Sequence, residues 1–196
     1  MFIQVIQGKC TRRDELRAMA DTWRDELGGG AVGWLGGTYG FTDNDEFIGV
    51  VRFESRDAAM ANSCRPEQSA WAERMMALMD GPVEFHDCDD VTMFLGGGSD
   101  DAGFVQVIQG RVEDSSHIKA MLADTSSLHE MRPDILGATL AIEDDGTFTE
   151  TVAFSDEESA RKGEQVQPPP DVARELATLM HGATFYDLHK PWFESP

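Results

Sequence analysis

The sequence predicts an α+β protein made of two copies of one β-α-β-β-α-β unit, and two observations carry that reading. The first is a repeat: FIQVIQG at residues 2–8 returns as FVQVIQG at 104–110. The second is the hydrophobic period, which switches between the strand and helix values in the same order in both halves.

The repeat runs well past the opening strand. LGGTYGF (35–41) matches LGATLAI (136–142), and FIGVVRF (47–53) matches FTETVAF (148–154). ALMDG (77–81) matches TLMHG (178–182), and FHD (85–87) answers FYD (185–187). Matched segments in one unbroken order, at nearly constant offset, mark an internal duplication. The stretch GGGSDDAG (96–103) favours an exposed connection, which sets domains at 1–98 and 104–196.

Each element follows from its own pattern. Residues 2–7 are apolar and rich in β-branched side chains, a strand. Leu16, Met19, Ala20, Trp23 and Leu27 then form the stripe of an amphipathic helix, answered by Ile118, Met121, Leu122 and Thr125. GGG at 28–30 ends the first of these helices. Strands at 34–41 and 47–53 are joined across TDNDE, and those at 135–142 and 148–154 across EDDGT. A second helix carries Trp71, Met75, Leu78 and Met79, with Val172, Leu176, Leu179 and Met180 at the same intervals in copy two. PPP at 168–170 sets the start of the latter. Short strands near 83–87 and 183–187 close the units.

This order is the split βαβ of the ferredoxin-like fold, a four-stranded antiparallel sheet with its helices on one face. Strict alternation groups Leu35, Tyr39 and Phe41 against Gly36, Thr38 and Gly40, and sends Trp34 to the face opposite Tyr39. It also groups Phe47, Val51 and Phe53 against Ile48, Val50 and Arg52. The bulky sides should pack under the helices, leaving the other face of each sheet to be covered. The other copy's sheet, tethered nearby, is the expected cover, so the chain reads as an intramolecular pseudo-dimer.

Composition narrows the partners. A formal charge of −20 repels phosphate backbones and anionic lipid, which argues against nucleic acid and membrane. No apolar run reaches the length of a bilayer span, and no basic segment leads into an apolar one, so the cytoplasm is the expected compartment. Cys10, Cys64 and Cys88 lack CxxC spacing and read as reduced thiols.

The opening strand ending in Gln7, together with FESRDAA (53–59) after the third strand, resembles the antibiotic biosynthesis monooxygenase-like domains of the dimeric α/β-barrel superfamily; copy two keeps FSDEESA (154–160). The resemblance spans almost the whole chain, one domain per copy, and rests more on topology than on motif. It implies ligands held between sheet and helices, and a range of activities that includes cofactor-free oxygenation of aromatics and haem degradation. The haem-degrading branch uses an Asn on the first strand, a Trp and then a His; the matching positions are Gln7, Asn62 and Ala72 here, and Gln109, Gly163 and Ala173 in copy two. The missing histidine disfavours that activity, and no cofactor is expected.

Carried onto copy one, the ligand region gathers Gln7, Trp23, Trp34, Tyr39 and Phe53. Gln7 would orient a substrate and Tyr39 would polarise it, with Trp23, Trp34 and Phe53 as apolar wall. No base is visible. Trp71 sits on an apolar stripe and reads as core. EFHDCDD (84–90) brings His86 and Cys88 to one face of a strand without completing a tetrahedral metal set, so no metal is expected. His181 reads as a helix C-terminal cation, and His117 and His129 as exposed. There is no nucleophile elbow, P-loop or GxGxxG placed between strand and helix. Two readings stand: a small-molecule-binding protein with cofactor-independent monooxygenase activity, or a non-catalytic ligand carrier or interaction module.

Overall fold

The computed structural model describes residues 1–122 and 130–196. The first repeat forms β1 (Phe2–Lys9), α1 (Arg13–Glu26), β2 (Trp34–Phe41), β3 (Glu46–Phe53), α2 (Arg56–Ser63), α3 (Pro66–Met76), β4 (Glu84–Cys88) and β5 (Asp90–Phe94). The second forms β6 (Phe104–Arg111), α4 (Ser115–Leu122), β7 (Ile135–Ile142), β8 (Thr147–Phe154), α5 (Glu157–Gly163), α6 (Pro170–Leu179), β9 (Thr184–Leu188) and β10 (Trp192–Glu194). Thr125 and His129, with the side chains of His117, Met121 and Leu122, lie outside the described residues. Among those described, no helix is long and apolar enough to cross a membrane.

Where one second helix was expected in each repeat, there are two. In the first repeat Ser55 opens α2, its hydroxyl accepting from the Ala58 N–H at 3.2 Å. Pro66 then breaks the run, because a proline has no N–H to give and keeps the residue before it extended; Arg65 is at φ −70, ψ 130. In the second, Asp156 caps α5 by accepting from the Ser159 N–H at 2.7 Å, and Pro170 starts α6.

Both sheets are antiparallel and have five strands, not four. Their orders are β10-β2-β3-β1-β4 and β5-β7-β8-β6-β9. Four consecutive strands of each sheet, β2-β3-β1-β4 and β7-β8-β6-β9, stand in the ferredoxin-like order, and the fifth comes from the other repeat's sequence. β10 pairs with β2 through Trp192↔Tyr39, Phe193↔Thr38 and Glu194↔Gly37. β5 pairs with β7 from Asp90↔Ile142 to Phe94↔Ala138. One compact unit is therefore Met1–Asp89 with Trp192–Pro196, and the other is Asp90–Pro191. The added strand hydrogen-bonds an edge that would otherwise stand open.

The hairpin departs from strict alternation at one place. A β-bulge between Trp34 and Gly36 makes Leu35 the extra residue, so Trp34 pairs with Phe53 and joins Tyr39 on the helix-facing side. Leu35 is turned outward, 40% exposed. Gly36 takes φ +124, a conformation that glycine alone adopts without strain, and a Cβ there would stand 2.8 Å from the Glu194 carbonyl oxygen. The second unit has the same shift between Ile135 and Gly137.

The core of the first unit lies between sheet and helices and is built on Phe2, Leu16, Trp23, Trp34, Phe47, Phe53, Trp71, Met75 and Trp192. The sheet face away from the helices is apolar too: Ile3, Val5, Ile48 and Val50 are all fully buried. In the second unit Val105 and Val107 hold the places of Ile3 and Val5.

Candidate functional site

The site is made by two glycines and one tyrosine. Tyr39 and Gly49 are register partners on the helix-facing side of the first sheet, and Gly37 follows two residues before Tyr39 on the same face. The Tyr39 ring lies back along its own strand. A Cβ on Gly37 would meet the Tyr39 hydroxyl at 2.1 Å, and one on Gly49 would meet Tyr39 Cδ1 at 3.0 Å. Any larger residue at 37 would lift the ring off the sheet. Trp192, from β10, stacks on the ring at 5.6 Å with planes 26° apart, and Arg17 of α1 covers the indole at 5.0 Å.

The opposite wall comes from the helices. Trp23 of α1 donates from Nε1 to Gln68 Oε1 at 2.7 Å and meets Trp34 edge-on at 4.9 Å and Trp71 at 6.5 Å. Between this wall and the sheet remains a cavity of about 80 Å³, bounded by Ile6, Leu16, Trp23, Tyr39, Phe47, Val51, Phe53, Trp71 and Met75, with Gln4, Asn62, Ser63, Gln68 and Glu194 as polar groups. That volume suits two or three waters, whereas a dry cavity that takes benzene is about 150 Å³.

Most of the polar atoms here are engaged. Gln4 donates from Nε2 to Asp87 Oδ1 at 2.8 Å. The Asn62 side-chain oxygen accepts from Arg65 Nη1 at 3.0 Å. Tyr39 and Glu194 differ. Burial pushes the Tyr39 hydroxyl far above the ordinary phenol range; Arg52 pulls the other way and Glu194 adds to the rise. Tyr39 is therefore a neutral O–H donor at any physiological pH. Glu194 is 7% exposed, and its Oε2 has no hydrogen bond although Arg24 Nη1 stands 3.2 Å away. Burial raises its carboxyl, Arg24 and Arg17 lower it, and Asp21 and Asp25 raise it, with a net rise.

Of the residues expected at the site, Trp23, Tyr39 and Phe53 line the cavity together. Trp34 stands one layer behind, against Trp23, with its Nε1 buried and without a hydrogen bond. Gln7 is elsewhere. It pairs with Ile48 on the face away from the helices, and its Nε2 donates to Glu46 Oε1 at 3.3 Å while its Oε1 is buried without a partner. A strand's period of two decides this: Gln4 and Ile6 face the cavity, so Gln7 cannot. The amide that reaches the cavity from β1 is Gln4.

Trp71 is both core and cavity wall, 9% exposed, its Nε1 donating to the Met19 carbonyl at 3.4 Å. His86 and Cys88 share the face away from the helices, as alternation requires, paired with Val5 and Ile3. Among the described residues, no three of His, Cys, Asp and Glu are grouped to hold a metal ion. Glu194 was missed because it is reached only through the pairing of β10 with β2.

No protein-family model matches the chain, and no curated protein matches it. Solved structures do. A presumptive monooxygenase from Fusobacterium nucleatum superposes with a TM-score of 0.77 at 10% identity, covering 99% of this chain and 94% of that one. A presumptive monooxygenase from Lactobacillus acidophilus gives 0.68 at 12%, over 97% and 95%. A ferredoxin-fold protein from Listeria monocytogenes, related to antibiotic biosynthesis monooxygenases, gives 0.54 at 11%, over 100% and 95%. The fold is the ferredoxin-like fold that these structures share. Full-length coverage means that the duplicated arrangement is part of the likeness. Within this fold, identity this low carries topology and not chemistry.

Proposed function

We propose that the first unit's cavity binds a small apolar or aromatic molecule and that the protein is a cytoplasmic, cofactor-independent monooxygenase acting on it. The observation that carries this reading is an aromatic-walled cavity with one fixed O–H donor, Tyr39, and one buried carboxylate, Glu194. The chemistry suited to such a site starts by taking a proton from a ring-activated CH₂ group. The resulting carbanion reduces dioxygen: one oxygen atom becomes the carbonyl and the other leaves as water with both hydrogens. Trp23, Phe53 and Trp71 exclude water and orient the ring, and the Tyr39 hydroxyl hydrogen-bonds the developing enolate oxygen.

A ring larger than the present space needs a wall side chain to move, and Met75, unbranched, is the lining residue that repacks at lowest cost. The second reading is a non-catalytic ligand carrier, for which the aromatic wall and the neutral Tyr39 hydroxyl suffice without any proton acceptor. Dioxygen uptake with anthrone in metal-free, flavin-free buffer separates the two. Uptake that Tyr39→Phe slows about tenfold or more supports the oxygenase. Binding of phenol or toluene by calorimetry without any uptake assigns the carrier role, and no binding of any of the three removes both readings.

A further inference from the structure

We propose that Glu194, brought in on the C-terminal strand, is the hydrogen-bond and proton acceptor of the first unit's cavity and selects hydroxyl-bearing aromatics, phenols and enols, as its ligands. This rests on the cavity being a ligand site and adds the ligand's chemical class. Register places the residue: Glu194 pairs with Gly37, and it is over Gly37 that the Tyr39 hydroxyl lies. Carboxylate and phenol therefore meet at one end of the cavity. Glu194 Oε2 is buried and, apart from its ion pair with Arg24, receives no hydrogen bond, while Gln4, Asn62 and Gln68 already engage other side chains. A buried acceptor left unmet costs free energy that a donor on the ligand recovers.

The rest of the cavity sets what bears that donor. Trp23, Phe53 and Trp71 offer flat apolar surface, so the donor sits on a ring. Arg24 Nη1, 3.2 Å from Oε2, already balances the carboxylate, so a neutral O–H fits better than a second cation such as an ammonium group. In the proton-transfer step the ligand O–H bond breaks, the proton goes to Oε2, and the electron pair stays on the ligand oxygen. The Tyr39 O–H then donates to that oxygen. At the matching register position the second unit has no carboxylate: the residue there is Phe94, paired with Ala138 as Glu194 is with Gly37.

The test is calorimetric titration of the full chain with phenol, toluene and benzylamine, in the wild type and in Glu194→Leu and Glu194→Gln. Phenol and toluene are near-isosteric, so their affinity ratio reports the hydroxyl. Glu194→Leu is expected to shift that ratio at least about tenfold toward toluene. The isosteric Glu194→Gln, which keeps the shape and loses the charge, is expected to shift it about threefold or more. A ratio unchanged in both variants, with both ligands binding, overturns the role of Glu194 and leaves the cavity reading intact. Benzylamine binding more tightly than phenol overturns the ligand class. Failure of all three to bind the wild type overturns this inference and the cavity reading together.

Discussion

The two units share backbone register down to the bulge and differ around a single ring. Where the first has Tyr39 paired with Gly49, the second has Leu140 paired with Glu150. Where the fifth strand of the first supplies Trp192 and Glu194, that of the second supplies Thr92 and Phe94. Leu140 is fully buried and Phe94 nearly so. At the place of Asn62 the second unit has Gly163, and the Arg132 guanidinium fills the space, its Nε 2.1 Å from where a Cβ would be. By contrast, one cluster is built twice. Phe2, Gln4 and Asp87 with Arg56 reappear as Phe104, Gln106 and Asp187 with Arg161. The two arginines come from different turns of their helices and still converge on the same aspartate and ring. What repeats is frame; what differs is the site. The cavity exists because side chains were omitted at 37 and 49, not because the backbone changed.

Swapping residues between the units breaks or sharpens this comparison. The largest effect is expected from Gly49→Glu, which writes the second unit's residue into the first. The new Cβ meets Tyr39 and Phe47 at 3.0 and 3.3 Å and brings a carboxylate into an apolar cavity. Loss of about 4 kcal/mol in the first unit's stability and of all toluene binding is expected, read by urea unfolding and calorimetry. Retained binding would mean that glycine at 49 does not make the site.

Next is Glu150→Leu. Burial lifts the Glu150 carboxyl to about 7. The folded state thus holds the proton more tightly than the unfolded chain, whose value is about 4.3. The stability this group contributes is full below the unfolded value and is lost as pH rises through about 7. Glu150→Leu should therefore raise stability at pH 8 by about 3 kcal/mol and change it little at pH 4, read by thermal unfolding at both. Equal shifts at the two pH values would contradict a buried, proton-holding carboxyl.

The smallest effect is expected from Arg24→Ala. Arg24 is half exposed, so its pair with Glu194 contributes under about 1 kcal/mol to stability. Its influence is on titration. Phenol affinity should be present above the raised Glu194 value and fall as pH drops through it. With the cation gone, that fall should move to higher pH, because Asp21, Asp25 and burial then oppose ionisation with only Arg17 to favour it. A profile of phenol affinity against pH that is identical in both proteins would separate Arg24 from Glu194.

How much of this was legible in the sequence varies by element. The strands 34–41 and 135–142 could be named to the residue, because their alternation and turn residues are local properties. The ferredoxin-like four-strand order follows from element order. The fifth strands did not. Thr92, Met93 and Phe94 share nothing with Trp192, Phe193 and Glu194, so comparing the repeats could not reveal them. Strict alternation sends Trp34 to the wrong face because a bulge shifts parity without altering composition, although Gly36 two residues on is a signal. Likeness to other proteins groups Gln7 with the cavity, against its own strand parity, which Gln4 and Ile6 satisfy.

By itself the amino-acid order determined the duplication, the periods and the faces, since those depend on neighbours a few residues apart. Which glycines hold open a space, and that a glutamate at position 194 closes it against a tyrosine at 39, were decided only in three dimensions. The physical reason is that strand pairing couples residues through backbone hydrogen bonds that no local pattern encodes.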